Sequence, residues 1–394
     1  MVPMLRKLGD VRRRAPVVFH ALACLLAVEV AAVVAAPVLV PTPVYLKLYL
    51  GRDVRRTTMR FLAGHHRMLE FDPLLGWRNR PNVEHGHWKT DSLGSRSTHP
   101  VGLRRSKPTR VLFLGSSAVN GGTAVTASET VSAYVEDSTT EAVNMGTMMY
   151  SLGQVYLAYA SSLHRYDANV VVVGLQDDPA EGLANRYVPY CQPSEVNVPF
   201  LRPRFEMTDT GPALAPVPSR DVYARMVESG AIVDTLRTTD DCHYRFAGFR
   251  RFGLTPIAGA TWYLYRRARN LVRHALGPDA HLPLALAIMR RLEAEAHRHG
   301  ARVVFVLLPG RTQTYPPLWR RWLPDHHGRV VAAIRAQGST LLDGRNLLRR
   351  AGKSPREVYD RDGVEYVAEG NRLIGEALHR VVRSKVMAEG GSGS

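Results

Sequence analysis

The chain has 394 residues, of which 45% are hydrophobic and 22% charged, which is typical of a folded protein with one or two domains. Its net charge of +17, from 52 Lys and Arg against 35 Asp and Glu, favours anionic partners such as lipid headgroups, acidic glycans or nucleic acid. The sequence has no zinc-finger spacing, no helix-turn-helix signature and no basic-aromatic interleaving, which argues against nucleic acid as the partner.

The first predicted element is a membrane-spanning helix over residues 15–40. This stretch is almost wholly apolar and is longer than the about 20 residues that a span requires. Basic residues precede it and predict a cytoplasmic location for residues 1–14, although further basic residues follow it. A signal peptidase cut near Ala36 would be hindered by Pro37, so the sequence favours an uncleaved anchor over a removed signal peptide.

A carboxylate, Glu29, lies near the middle of this predicted span. A charge at that depth costs about 2.5 to 3.5 kcal/mol on insertion scales. Glu29 is either protonated and tolerated by an apolar helix, or it faces another membrane protein together with His20. The second interpretation predicts a membrane-embedded partner.

Three cysteines occur in the chain, and Cys24 belongs to the predicted span. Cys191 and Cys242 remain for the part outside the membrane. An even pair outside the cytoplasm predicts one disulfide between them, with two buried free thiols as the alternative.

The remainder of the chain divides into a lead-in and a domain. Residues 45–108 are a turn-rich juxtamembrane lead-in, expected to wrap around the domain and not to form its core. Residues 109–388 alternate apolar strands with amphipathic helices, which predicts a parallel sheet with helices on both faces. Residues 179–279 interrupt this pattern and are interpreted as an inserted subdomain, and residues 389–394 are typical of an appended linker.

Strands are predicted at Val111–Leu114, Ala142–Met145, Val170–Val173, Val303–Leu308 and Thr340–Leu342. Helices are predicted at Ser128–Glu136, Leu152–Tyr166, Leu284–His299, Arg329–Ala336 and Glu369–Ser384.

A serine follows the first of these strands. Four buried-type residues, Val111–Leu114, precede Gly115 and two serines, so the chain can turn sharply at the carboxyl end of the strand. Open α/β sheets bind their ligands at that edge. Ser117 is therefore placed like a nucleophile.

Several motifs resemble, in order, the SGNH or GDSL-type serine hydrolase family in its membrane-anchored, extracytoplasmic form. They are the lead-in segments Phe71–Asn82 and Leu93–Arg96, and the blocks Val111–Ser117, Val143–Gly146, Val303–Pro309 and Asp360–Ile374. The resemblance implies a three-layer, flavodoxin-like parallel sheet, and action on acyl esters of a cell-envelope glycan or lipid. It implies an envelope glycan or other acylated substrate, an anionic lipid surface and a membrane-embedded acyltransferase as partners, and no cofactor or metal.

In that family a serine attacks the ester, a histidine takes its proton, and an aspartate orients the histidine. N–H groups and an asparagine amide stabilise the oxyanion. Carried onto this chain, the resemblance makes Ser117 the nucleophile and first oxyanion donor, Gly146 the second donor, and Asp362 the orienting acid. Two positions depart from the pattern, because the asparagine falls on Asp177 and the histidine on Glu365.

These departures leave three interpretations open. An ionised Asp177 would repel an oxyanion, so it helps only if protonated, although the amide of Gln176 could replace it. Glu365 is a weaker base than histidine near neutral pH, and a histidine of the insertion, such as His243, could act instead. The chain is then a non-standard esterase or acyltransferase, a catalytically silent relative that binds a glycan or scaffolds a membrane enzyme, or, with Asp178 completing an acidic pocket, a divalent-cation binder.

Overall fold

A computed structural model describes residues 20, 24, 27, 52–176, 179, 181–184, 186–188, 198, 200–232, 281–318, 325–361, 363 and 365–390. The predicted anchor therefore lies outside the described residues except for three exposed helical positions, His20, Cys24 and Ala27. Among the described residues, no helix is both long enough and apolar enough to cross a bilayer.

The strands of the described residues are, in chain order, β1 (Leu69–Asp72), β2 (Gly76–Asn79), β3 (Glu84–His85), β4 (Trp88–Lys89), β5 (Thr109–Gly115), β6 (Thr140–Asn144), β7 (Val170–Gln176), β8 (Arg204–Thr208), β9 (Gly211–Ala215), β10 (Arg302–Leu308) and β11 (Leu341–Asp343).

The α-helices of the same residues are α1 (Arg52–Leu62), α2 (Ser117–Asn120), α3 (Leu152–Ser161), α4 (Glu181–Ala184), α5 (Arg220–Ser229), α6 (Leu282–Arg298), α7 (Arg311–Thr314), α8 (His326–Ala336), α9 (Gly344–Arg350), α10 (Pro355–Val358) and α11 (Ala368–Gly390). Short 3₁₀ turns occupy Ala127–Glu129, Ala133–Val135 and Leu163–Tyr166.

Five parallel strands form the central sheet in the spatial order β6-β5-β7-β10-β11. Counted along the chain, this is the order 2-1-3-4-5 of flavodoxin-like sheets. The predicted parallel α/β fold class is confirmed, and each of the five predicted strands overlaps one strand of the sheet. The strand order reverses between β5 and β7, so a crevice opens at the carboxyl ends of these two strands.

Helices cover both faces of this sheet because its strands are apolar on both sides. Leu112 and Leu114 of β5 belong to a buried cluster that also contains residues of α3, α6 and α8. Val111 and Phe113 of the same strand belong to a second cluster, with residues of α2, α9 and α11. Successive side chains of a strand point to opposite faces, so an uninterrupted apolar run is what a sheet covered on both sides requires.

The predicted helix Ser128–Glu136 is wrong, since this segment forms two separate 3₁₀ turns. Between them the backbone of Thr130 is extended, with φ −77° and ψ 158°. The Thr130 hydroxyl lies 2.8 Å from the Ala127 carbonyl oxygen and 2.9 Å from the Ser132 hydroxyl. Such local side-chain hydrogen bonds compete with a continuous helix.

The lead-in builds a buried core of its own together with residues of the insertion, which was not predicted. Trp77 of β2 is fully buried, and its indole N–H donates to the Met148 carbonyl at 2.9 Å. Phe61 of α1 stacks on Phe200 of the insertion, with ring centroids 3.7 Å apart. The lead-in therefore belongs to the folded body and contacts the loop that follows β6.

Candidate active site at the carboxyl edge of the sheet

Ser117 lies where strand β5 ends and helix α2 begins. Ser116 is extended, and Ser117 is the first residue of the helix, with 7% of its surface exposed. Neither the Ser117 backbone N–H nor its hydroxyl makes a hydrogen bond to a described residue. Both groups are therefore available to a ligand in the crevice between β5 and β7.

Three glycines on neighbouring strands let α2 approach the sheet this closely. A Cβ atom on Gly115 would lie 2.5 Å from a Val119 methyl group, and one on Gly174 would overlap the same side chain. A Cβ atom on Gly146 would lie 2.7 Å from the Asn120 nitrogen. Glycine therefore ends β5, follows β6 and lies within β7, and the missing side chains leave room for α2.

Gly146, the predicted second oxyanion donor, follows β6 and is held through both of its backbone polar groups. Its carbonyl accepts hydrogen bonds from the side-chain amides of Asn120, at 2.7 Å, and Asn79, at 2.9 Å. Its N–H donates to Asn144 Oδ1 at 3.1 Å. For Gly146 to stabilise an oxyanion, its N–H has to share or leave the bond to Asn144.

Gln176 is the last residue of β7 and pairs with Leu308 of β10. It is half-buried, and its amide makes no hydrogen bond to a described residue. The amide is thus placed at the carboxyl edge, two strands from β6.

Several predicted residues lie outside the described residues and stay predictions. They are Glu29, Asp177, Asp178, Cys191, Cys242, His243 and Asp362. Within the described ranges, no group of three or more His, Cys, Asp or Glu could hold a metal ion. Three of the four acidic residues proposed for a cation pocket belong to the undescribed set.

Glu365 is brought to the same edge by the closing loop, residues 359–366. Tyr359 and Tyr366 form an antiparallel bridge, and their hydroxyls donate to the Pro309 carbonyl at 2.8 and 2.6 Å. Because Pro309 follows β10, these bonds fix the loop at the carboxyl end of the sheet. Glu365 is half-buried, and its carboxylate lies against Gly122. It makes no hydrogen bond to Ser117.

Arg96 of the lead-in is a site residue to which the sequence analysis assigned no role. Its side chain is fully buried, and its guanidinium lies over the Trp88 ring, 5.1 Å from the centroid. Burial lowers the pKa of Arg96 from 12.5 to about 10, and the negative charge of Glu365 acts in the opposite direction. The only sequence signal for this residue is its position in the Leu93–Arg96 motif.

A buried histidine lies near this edge but does not serve Ser117. His327 Nε2 contacts Asp343 Oδ1 at 2.9 Å, and Asp343 caps the first turn of α9. Asp343 ends β11, which is three strands from β5, or about 14 Å at normal strand spacing. This His–Asp pair therefore joins α8 to β11 and α9 and is too distant to take the Ser117 proton.

No family model and no curated protein matches the chain. Similar solved structures include a GDSL-like lipase from Bacteroides thetaiotaomicron, at 11% identity over 72% of this chain and 93% of the other, with a TM-score of 0.34. They also include a variant of an acetylxylan esterase from Geobacillus stearothermophilus, at 12% identity over 70% and 94%, with a TM-score of 0.36. An α/β hydrolase enzyme from the metagenome of Lake Arreo has 10% identity over 70% and 96%, with a TM-score of 0.35.

The lipase is GDSL-like by name, which is the family that the sequence motifs resemble. At these identities and TM-scores the likeness concerns the fold alone. The fold class itself follows from the strand order and the parallel register of the sheet.

Proposed function

We propose that the chain is an SGNH-hydrolase-like protein that acts on acyl esters of a cell-envelope glycan or lipid through Ser117. The observation that carries this proposal is the place of Ser117, at the reversal of strand order, with its N–H and hydroxyl unbonded among the described residues. A hydroxyl in that position can attack an ester carbonyl, and the N–H of the same residue can stabilise the oxyanion.

The remaining roles follow the family pattern as proposals. Gly146 is the second oxyanion donor, with Gln176 or a protonated Asp177 supplying the third. Asp362 is the orienting acid. The base is either Glu365 or a histidine of the insertion, and the product is an alcohol plus an acid, or a transferred acyl group.

A second candidate function is that of a silent relative, which binds an envelope glycan or scaffolds a membrane-embedded acyltransferase. It is favoured by the absence of a hydrogen bond between Ser117 and Glu365, and by the position of the Glu365 carboxylate against Gly122. A serine without a matched proton acceptor hydrolyses esters very slowly near neutral pH.

For both candidates we propose that residues 15–40 anchor the chain in the membrane, with residues 109–388 outside the cytoplasm near anionic lipid. Glu29 is the proposed contact with a partner helix. Alkaline carbonate extraction that releases the full chain from membranes contradicts the anchor. A Glu29→Leu variant that still co-purifies with every protein bound by the wild type contradicts the membrane partner.

A fluorophosphonate probe distinguishes the two candidate functions. The full chain in detergent is treated with the probe, and the labelled residue is located by mass spectrometry. An active site labels Ser117, and labelling disappears in Ser117→Ala but persists in the control Ser116→Ala. Absence of labelling in a folded wild type contradicts the hydrolase and supports the silent relative.

A further inference from the structure

The most unusual charged group among the described residues is Arg96, because it is fully buried yet has no carboxylate within ion-pair distance. A buried charge is costly unless its hydrogen bonds are satisfied and an opposite charge is near. The acceptors around its guanidinium therefore indicate what the residue does.

These acceptors belong mainly to residues 120–125, which follow the helix that carries Ser117. Arg96 Nη1 donates to the Asn120 backbone oxygen at 2.8 Å, to Asn120 Oδ1 at 3.0 Å and to the Gly122 carbonyl. Arg96 Nη2 donates to the Val125 carbonyl at 2.5 Å and to the His87 carbonyl at 3.1 Å. Carbonyl oxygens satisfy the donors of the guanidinium but do not neutralise its charge.

The opposite charge comes from Glu365, whose carboxylate also lies against Gly122. Arg96 binds the carbonyl of Gly122, whereas the Glu365 carboxylate occupies the space in which a Gly122 side chain would lie. Gly122 has a φ of +53°, so glycine is required here by conformation as well as by space. The electrostatic attraction between the two side chains acts across this one residue.

We propose that Glu365 is the charge partner of Arg96, and that the two residues, which both contact Gly122, together hold residues 120–125. Glu365 is then a positioning residue for the segment behind Ser117 and does not take the serine proton. This inference rests on the proposed function only for the role of Ser117, because the clamp on residues 120–125 exists whether or not Ser117 reacts.

A double-mutant cycle on the full chain in detergent tests the clamp without any activity. Arg96→Met and Glu365→Gln should each lower the Tm by about 4 to 8 °C and speed amide exchange at residues 121–125, because the first removes the donors that bind this segment and the second removes a negative charge that faces the buried guanidinium. The double variant should lose less than the sum of the two singles. Strictly additive losses, or unchanged exchange at residues 121–125, would overturn the proposal.

Matched variants separate the clamp from a general loss of charge. The exposed pair Arg78 and Glu70, 2.7 Å apart, gives the control Arg78→Met with Glu70→Gln, which should leave the Tm nearly unchanged. Arg96→Lys should not restore the wild-type Tm, because one ammonium group cannot reach the acceptors that the planar guanidinium bridges. Wild-type stability in Arg96→Lys contradicts the clamp geometry.

The rate of fluorophosphonate labelling decides whether Glu365 is also the base. If Glu365 is a positioning residue, the Glu365→Gln variant should be labelled roughly 10- to 100-fold more slowly, with the pH dependence of the labelling rate unchanged in shape. The Arg96→Met variant should behave in the same way. Gly122→Ala keeps both charged residues but displaces the Glu365 carboxylate, so it should also slow labelling.

Two outcomes would decide against parts of this account. If Glu365→Gln abolishes labelling while the Tm and the amide exchange stay unchanged, Glu365 is the base and the proposal is overturned. If the wild type is not labelled, the proposed hydrolase fails, and the double-mutant cycle alone decides the clamp.

Discussion

Gly115 and Gly174 lie opposite each other on β5 and β7, and the side chain of Val119 occupies the space that their Cβ atoms would need. The helix that carries Ser117 therefore rests directly on the backbone of the sheet. This contact determines how far Ser117 stands from the carboxyl edge, and it explains why two strands carry glycine within otherwise apolar runs.

Gly174→Ala should destabilise the protein by about 1 to 3 kcal/mol, because the new methyl group overlaps Val119 in a close-packed region. Denaturant unfolding of the full chain measures the change. The control is Gly102→Ala, at an exposed glycine whose nearest atom is 3.8 Å from the added Cβ. Equal stability of the Gly174 and Gly102 variants would show that α2 does not rest on the sheet in this way.

Glu141→Gln should cost about 3 to 5 kcal/mol near neutral pH, because it leaves Arg110 buried without its partner at 2.9 Å. Burial alone would raise the pKa of Glu141, but hydrogen bonds from Arg110 and Ser106 hold it below 4.5. A lowered folded-state pKa means that the stabilisation is present above the unfolded value and is lost as the pH falls below it. The Tm difference between variant and wild type should therefore be largest above about pH 4.5 and shrink as the pH falls below it, and a constant difference would contradict the ion pair.

Glu365→His combined with Asp177→Asn separates the two roles considered for position 365. As the base position of the family it should gain ester turnover, since the first change supplies a base and the second a neutral oxyanion donor, whereas a purely positioning Glu365 predicts no gain. The two changes should act as a unit and not additively. The double variant should also melt at a lower temperature than the wild type, because Arg96 loses a carboxylate. Assays with p-nitrophenyl acetate measure the gain, and Ser117→Ala in the same background is the control. No gain in a folded double variant would favour the binding or scaffold function.

Cys191 and Cys242 are predicted to form one disulfide that holds the insertion. Non-reducing mass spectrometry of the full chain should find the two cysteines in one cross-linked peptide, and Cys24 as a free thiol. Two alkylated thiols at 191 and 242 would contradict the bridge and weaken the case for an extracytoplasmic domain.

The strands of the sheet could be predicted because a strand buried on both faces consists of an uninterrupted run of apolar residues, such as Val111–Leu114. The placement of Ser117 followed from the same run, since the end of a parallel strand defines the edge that binds ligands. Asp343 is a further local signal, for the start of α9, because its side chain accepts hydrogen bonds from the backbone of Arg345 and Asn346.

The core of the lead-in and the clamp around Gly122 could not be predicted in this way. Phe61 and Phe200 are far apart in the chain and lie in segments without a regular apolar period, so their stacking depends on tertiary contacts alone. Arg96 resembles any surface arginine in sequence, and its burial becomes visible only when Trp88 and residues 120–125 surround it. Glu365 falls at the position of the histidine in the family motif, and nothing in the neighbouring sequence indicates that its carboxylate lies against Gly122.

The arrangement around Gly122 has a consequence for the synthesis of the protein. Arg96 and residues 120–125 leave the ribosome well before Glu365 and the closing loop, which immediately precede α11. If Glu365 is the charge partner of Arg96, the arginine has no carboxylate to face until the closing loop has been made, and we expect its charge to stay hydrated until then. We therefore expect the segment behind Ser117 to become fixed only after the closing loop has been made.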